Sequence, residues 1–167
     1  PMTGSEKTGI LSATNTLLEN AYYIITPTAL TPKEEISEFR DFVLSLGAIP
    51  LILDYKIHDY STAAISHLPH MIAYSLVNLI HQIDDDKETM KTIAAGGFKD
   101  ITRIASSSPV MWQNICASNR EPLLSLMDQY LALLTKLRGY IDSSNEQALL
   151  SFFQQAKDYR DSITLPS

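Results

Sequence analysis

Between Tyr55 and Ile83 the chain reads as one long helix that is apolar nearly all round. Ile65, Leu68, Ile72, Ala73, Leu76, Val77, Leu79, Ile80 and Ile83 are spread over all its faces. A helix without a polar face is buried on all sides. In a helical region no larger than residues 55–167, that burial calls for a second subunit. Pro69 lies inside the helix, where it removes one backbone hydrogen bond and predicts a kink. The run Asp84-Asp85-Asp86 ends the helix as a solvated turn.

What precedes this helix has a different character. Ala21 to Thr28 is β-rich, with Tyr22, Tyr23, Ile24 and Ile25 in one run that Pro27 stops. Thr31-Pro32-Lys33-Glu34 reads as a capping box, with Thr at N-cap, Pro at N1 and Glu at N3. The helix it opens carries Ile36, Phe39, Phe42, Val43 and Leu46 at helical spacing, and Gly47 supplies a left-handed end. Ala48 to Asp54 is a second short strand. Strand, helix, strand is one crossover unit of a parallel sheet, and such sheets are covered on both faces. Two strands cannot make one, so the remaining strands are expected elsewhere.

From Tyr55 onward every element reads as helical. Lys87 to Ala94 is a short helix, Gly96-Gly97 breaks the chain before a helix near Phe98–Ser106, and Ser108-Pro109 is an N-cap and N1 pair. Arg120 to Ile141 and Ser144 to Asp161 are long amphipathic helices. The expected fold is therefore mainly α, a helical domain over 55–167 preceded by a partial α/β (βαβ) remnant over 1–54. The net charge of −6 disfavours nucleic-acid binding, which needs a basic face. Apolar runs fall short of the roughly 20 residues that span a bilayer, so no membrane partner is expected. A single cysteine, Cys116, rules out an internal disulfide framework and fits the cytoplasm. The six glycines contain no G-x-G pair, which excludes a complete dinucleotide or P-loop fingerprint. The chain opens at Pro1 without an initiator Met, which reads as a fragment or processed product.

Three polar groupings stand out. His67, His70, Tyr74, Asn78 and His81 follow spacings of 3, 4, 4 and 3, which places them on one helix face. Two readings fit: satisfied core or interface groups, or a site around Ser66-His67-Leu68-Pro69-His70. No HExxH is present and no acid sits nearby in sequence, so no metal is expected. Gly96-Gly97-Phe98-Lys99-Asp100-Ile101-Thr102-Arg103 puts Lys99 and Arg103 four apart near a helix start, where an anion suits the free N–H groups. Its bland reading is a solvated basic turn paired with Asp100. The segment from Pro1 to Gly9 carries two glycines among small hydroxyl residues, which fits either a loop near a ligand or a plain chain end. Cys116 and Trp112 read as core residues.

Taken together, PMTGSEKTG at 1–9, ENAYYIITPT at 19–28, HDYSTAAISHLPH at 58–70 and AGGFKDITRIASSSPVMW at 95–112 resemble the prephenate dehydrogenase family, in the family's order and over almost the whole chain. The resemblance implies a dinucleotide-binding domain, here represented by residues 1–54 only, followed by a helical dimerisation domain at 55–167. It implies oxidative decarboxylation of prephenate to 4-hydroxyphenylpyruvate in tyrosine biosynthesis, with NAD or NADP as cofactor. The glycine-rich cofactor fingerprint and the general-base histidine, which in the family stands directly before Pro1, fall outside the sequence. On this reading the chain alone is inactive.

By match to the family's motifs, Arg103 clamps a substrate carboxylate and Lys99 assists from the partner subunit. His70 lines the pocket with His67 beside it. Ser5 and Glu6 close it from the first domain, and Ser66, Asp100 and Trp112 shape or gate it. The implied partners are a second copy in a homodimer, prephenate, and tyrosine as a feedback ligand. Arogenate in place of prephenate, and a helical dimerisation module without activity of its own, are the competing readings.

Overall fold

The computed structural model describes residues 1, 3 and 9–163. Strands β1 (Tyr22–Ile25) and β2 (Ile49–Ile52) pair in parallel, Tyr22 opposite Ile49 and Ile25 opposite Ile52. Helix α1 (Lys33–Ser45) makes the crossover between them and packs on β2. Val43 is fully buried, and the Phe39 ring meets Tyr23 edge-on at 5.9 Å. Past the helix end Gly47 adopts φ +75, as its place in the sequence demands, and a Cβ there would lie 3.3 Å from Glu19 Cγ. The capping box does not form. Pro32 stands at N-cap, and the Thr31 hydroxyl instead accepts from the Thr28 N–H at 3.0 Å. A threonine hydroxyl that closes a local turn is spent before the helix begins.

Asp54 joins the sheet to the helical region. Its carboxylate accepts from the N–H groups of Lys56 (2.8 Å) and Ile57 (3.4 Å), capping α2 (Tyr55–Thr62). A π-helical turn (Ala63–His67) follows, and then α3 (Leu68–Ile83). The expected kink at Pro69 is realised as this wider turn, in which the Leu68 N–H reaches back five residues to the Ala63 carbonyl. Proline lacks an N–H and crowds the carbonyl one turn earlier, and a π-turn relieves both defects.

Burial on all sides is not observed within one chain. Only Ala63, His67 and Ala73 along this helix are buried, while Ile65 is 64% and Leu79 51% exposed. A single chain supplies neighbours for one stripe of the helix and leaves the rest uncovered. By length and composition alone, Tyr55–Ile83 is also apolar enough to cross a membrane, although no uninterrupted apolar run in the sequence is that long. His58, Asp59, His67 and His70 interrupt it.

After α3, Asp84 and Asp85 turn the chain by accepting from the N–H groups of Thr89, Met90 and Lys91 at the start of α4 (Thr89–Ile93). Helix α5 (Gly96–Thr102) begins on the glycine pair itself and tightens into a 3₁₀ turn (Arg103–Ser106). Helix α6 (Pro109–Ser118) is capped by Ser108, as expected. α3 packs against both α5 and the 3₁₀ turn. The chain divides by compactness after Leu123. The second unit holds the rest of α7 (Arg120–Asp142) and α8 (Glu146–Ser162). Ser144 at φ +50 turns the chain between them, and Asn145 caps α8 through the Ala148 N–H.

Candidate functional site

The π-turn and the first turn of α3 present His67 and His70 toward α6. The His70 ring stacks on Trp112 with centroids 3.7 Å apart and planes 26° from parallel. His67 meets the same indole at 5.9 Å and 80°. Trp112 is buried, and its indole N–H has no hydrogen-bond partner among the described residues. His70 Nδ1 lies 2.8 Å from the Ser66 carbonyl. A carbonyl only accepts, so Nδ1 carries the proton. One turn on, the Tyr74 hydroxyl donates to the Ser107 carbonyl at 2.8 Å and ties α3 to the end of the 3₁₀ turn. Burial raises the Tyr74 pKa above its ordinary value.

Of the five polar residues on this stripe, His67, His70 and Tyr74 thus face packed elements, whereas Asn78 and His81 are exposed. Burial and then the neighbouring His70 lower the pKa of His67; Asp59 opposes them and His58 adds to them. Asn119, between α6 and α7, places its Nδ2 2.8 Å from the Asp59 carbonyl and 3.3 Å from His67 Nδ1. His58, Asp59, His67, Ile115 and Asn119 line a pocket of about 290 Å³ there. Sequence reasoning passes over Asn119 and Asp59. Their partners lie 52 and 60 positions apart in the chain, and no local pattern marks such a contact.

Lys99, Asp100 and Arg103 are exposed on the segment that packs against α3. The helix pitch changes between Lys99 and Arg103, because α5 ends at Thr102 and Arg103 opens the 3₁₀ turn. Thr102, buried between them, anchors the segment by donating to the Phe98 carbonyl at 2.6 Å. Ser5 and Glu6 lie outside the described residues. A larger hollow of about 550 Å³ beside β1 is lined by Ile25, Pro27, Glu35, Phe39 and Phe42. It offers carboxylates and no cation, which does not suit an anionic ligand. The loops after the two strands, Thr26-Pro27-Thr28 and Leu53-Asp54, contain no glycine to cradle a pyrophosphate.

A helical region entered from a parallel βαβ unit, with paired histidines on an indole and the Lys99–Arg103 segment packed on the same helix, fits the class of two-part dehydrogenases expected above. Residues 54–155 match the family model "Prephenate dehydrogenase, dimerization domain", and residues 1–51 match "Prephenate dehydrogenase, nucleotide-binding domain". The chain belongs to the prephenate dehydrogenase family. It is 39% identical over 165 residues to the prephenate dehydrogenase of Bacillus subtilis, covering 99% of this chain and 44% of that protein. Among solved structures, the prephenate dehydrogenase of Aquifex aeolicus in complex with hydroxyphenyl propionate and NAD+ superposes with a TM-score of 0.90 at 30% identity, over 96% of this chain and 56% of that one. Synechocystis arogenate dehydrogenase gives 0.86 at 28% identity, over 96% and 59%. The chain spans about half the length of the curated relatives it matches.

Proposed function

We propose that this chain is the substrate-binding and dimerising portion of a cytoplasmic enzyme that oxidatively decarboxylates prephenate to 4-hydroxyphenylpyruvate in tyrosine biosynthesis. A bound nicotinamide cofactor would accept the hydride in this reading. Prephenate is a dianion, and its recruitment to a chain of net charge −6 needs a concentrated positive site. Arg103 supplies a planar fork for a carboxylate and Lys99 a second cation. The supporting observation is the His70–Trp112 stack on the helix that packs against the Lys99–Arg103 segment. His70 and Trp112 form the wall of the pocket in this reading, Ser66 fixes the His70 ring, and His67 and Asp100 support them. Ser5 and Glu6 are proposed to close the pocket.

The uncovered apolar faces of α2 and α3 are proposed to meet a second copy in a homodimer, a reading supported by the match of residues 54–155 to a dimerization domain. Likeness to an arogenate dehydrogenase supports a second reading, in which an amino group replaces the keto group of the substrate side chain. Calorimetric titration with prephenate, arogenate and tyrosine separates these readings. Prephenate is expected to bind most tightly, and tyrosine to bind if it is a feedback ligand. A chain that binds none of the three is a dimerisation module only. The chain alone is expected not to reduce NAD or NADP with prephenate.

A further inference from the structure

Asn119 stands at the junction of α6 and α7 and touches both the end of α2 and the π-turn. A primary amide nitrogen only donates, and a backbone carbonyl only accepts. The 2.8 Å contact with the Asp59 carbonyl therefore fixes which end of the Asn119 amide faces inward, because the flipped amide would set two acceptor oxygens against each other. The same nitrogen lies 3.3 Å from His67 Nδ1. His67 Nδ1 must then accept, which leaves the ring proton on Nε2.

From this chain of contacts we infer that Asn119 is a positioning residue: it locks His67 in the neutral Nε2–H tautomer. His70 carries the opposite assignment, since its Nδ1–H is spent on the Ser66 carbonyl. Around one indole the two imidazoles are thus set in complementary states, one presenting Nε2–H and the other having its Nδ1–H engaged. The groups facing His67 are His58 and Asp59 from α2, His70 from α3, Trp112 from α6 and Asn119 itself. Among the described residues, none of the other contacts fixes the proton on His67. The relevance of this state to prephenate rests on the function proposed above, but the tautomer does not.

The test is nitrogen NMR of the chain with ¹⁵N-labelled histidine, His67 being assigned by its loss in His67→Gln. At neutral pH the expected spectrum has a pyridine-like Nδ1 and a pyrrole-like Nε2 for His67. Asn119→Asp replaces the donor by an acceptor. It should invert that pattern and shift the His67 titration to higher pH, whereas Asn119→Ala should give a tautomer mixture. A protonated His67 Nδ1 in the wild-type chain overturns the inference whether or not the Asn119 variants fold. So does an Asn119→Asp variant that folds and keeps the wild-type pattern, because a merely structural amide would change the melting temperature alone. Titration of the wild-type chain with prephenate judges the substrate reading separately: absent binding removes that reading and leaves the tautomer to the spectrum.

Discussion

At the residue scale, Arg103 and His67 make opposite demands on their surroundings. A guanidinium facing a substrate carboxylate in a partly dry site is worth about 2–5 kcal/mol when truncated. In the intact enzyme Arg103→Ala is expected to raise the Michaelis constant for prephenate by about 30-fold or more. Arg103→Lys should recover part of this, because a point charge lacks the fork. An unchanged Michaelis constant with a lower melting temperature would make Arg103 structural. His67 instead has its pKa held below the ordinary 6.5 by burial and by His70. The unfolded chain then binds this proton more readily than the folded one. The folded state should lose stability as pH falls below about 6.5, until the lowered pKa is passed. Urea midpoints across that range should fall with pH, and His67→Gln should flatten the slope. Both residues are visible in the sequence as motif members. Asn119 is not, because its significance lies in contacts with a distant carbonyl and a distant imidazole.

At the scale of elements, the boundaries readable from sequence are those set by local chemistry. Gly47 ends α1 in the left-handed region and Ser108-Pro109 opens α6, because a positive φ and a preset proline φ need no tertiary partner. The capping box fails to form for an equally local reason: the Thr28 N–H takes the Thr31 hydroxyl. Asp54 makes two cap hydrogen bonds where the sheet hands over to α2. Asp54→Ala is expected to lower the free energy of unfolding by about 1 kcal/mol, measured by urea denaturation. No change would mean that α2 is held by packing alone. The π-turn illustrates the limit of such reading. Pro69 announces a defect in the helix, but whether it becomes a bend or a wider turn depends on how the flanking turns accommodate the ring. Here the wider turn carries His67 into contact with Asn119 and Trp112.

At the scale of the molecule, the outstanding feature is apolar surface. Ile57, Ile65, Leu79 and Ile83 are all more than half exposed on one continuous helical stretch. Exposed patches of this kind mark interaction sites in soluble proteins. Light scattering at micromolar concentration is expected to give the mass of a dimer, and a stable monomer would contradict the proposed pairing. The sequence by itself determined the helical and βαβ character of the chain, its turn residues, the family motifs, and the presence of more apolar helix than one chain can cover. Each of these follows from periodicity, from φ restriction, or from residues adjacent in sequence. Only the tertiary structure decided that His70 lies flat on Trp112, that the indole is buried, and that Asn119 bridges Asp59 and His67. Those contacts join positions 40 to 60 residues apart, and their hydrogen-bond directions follow from packing geometry that no local pattern encodes.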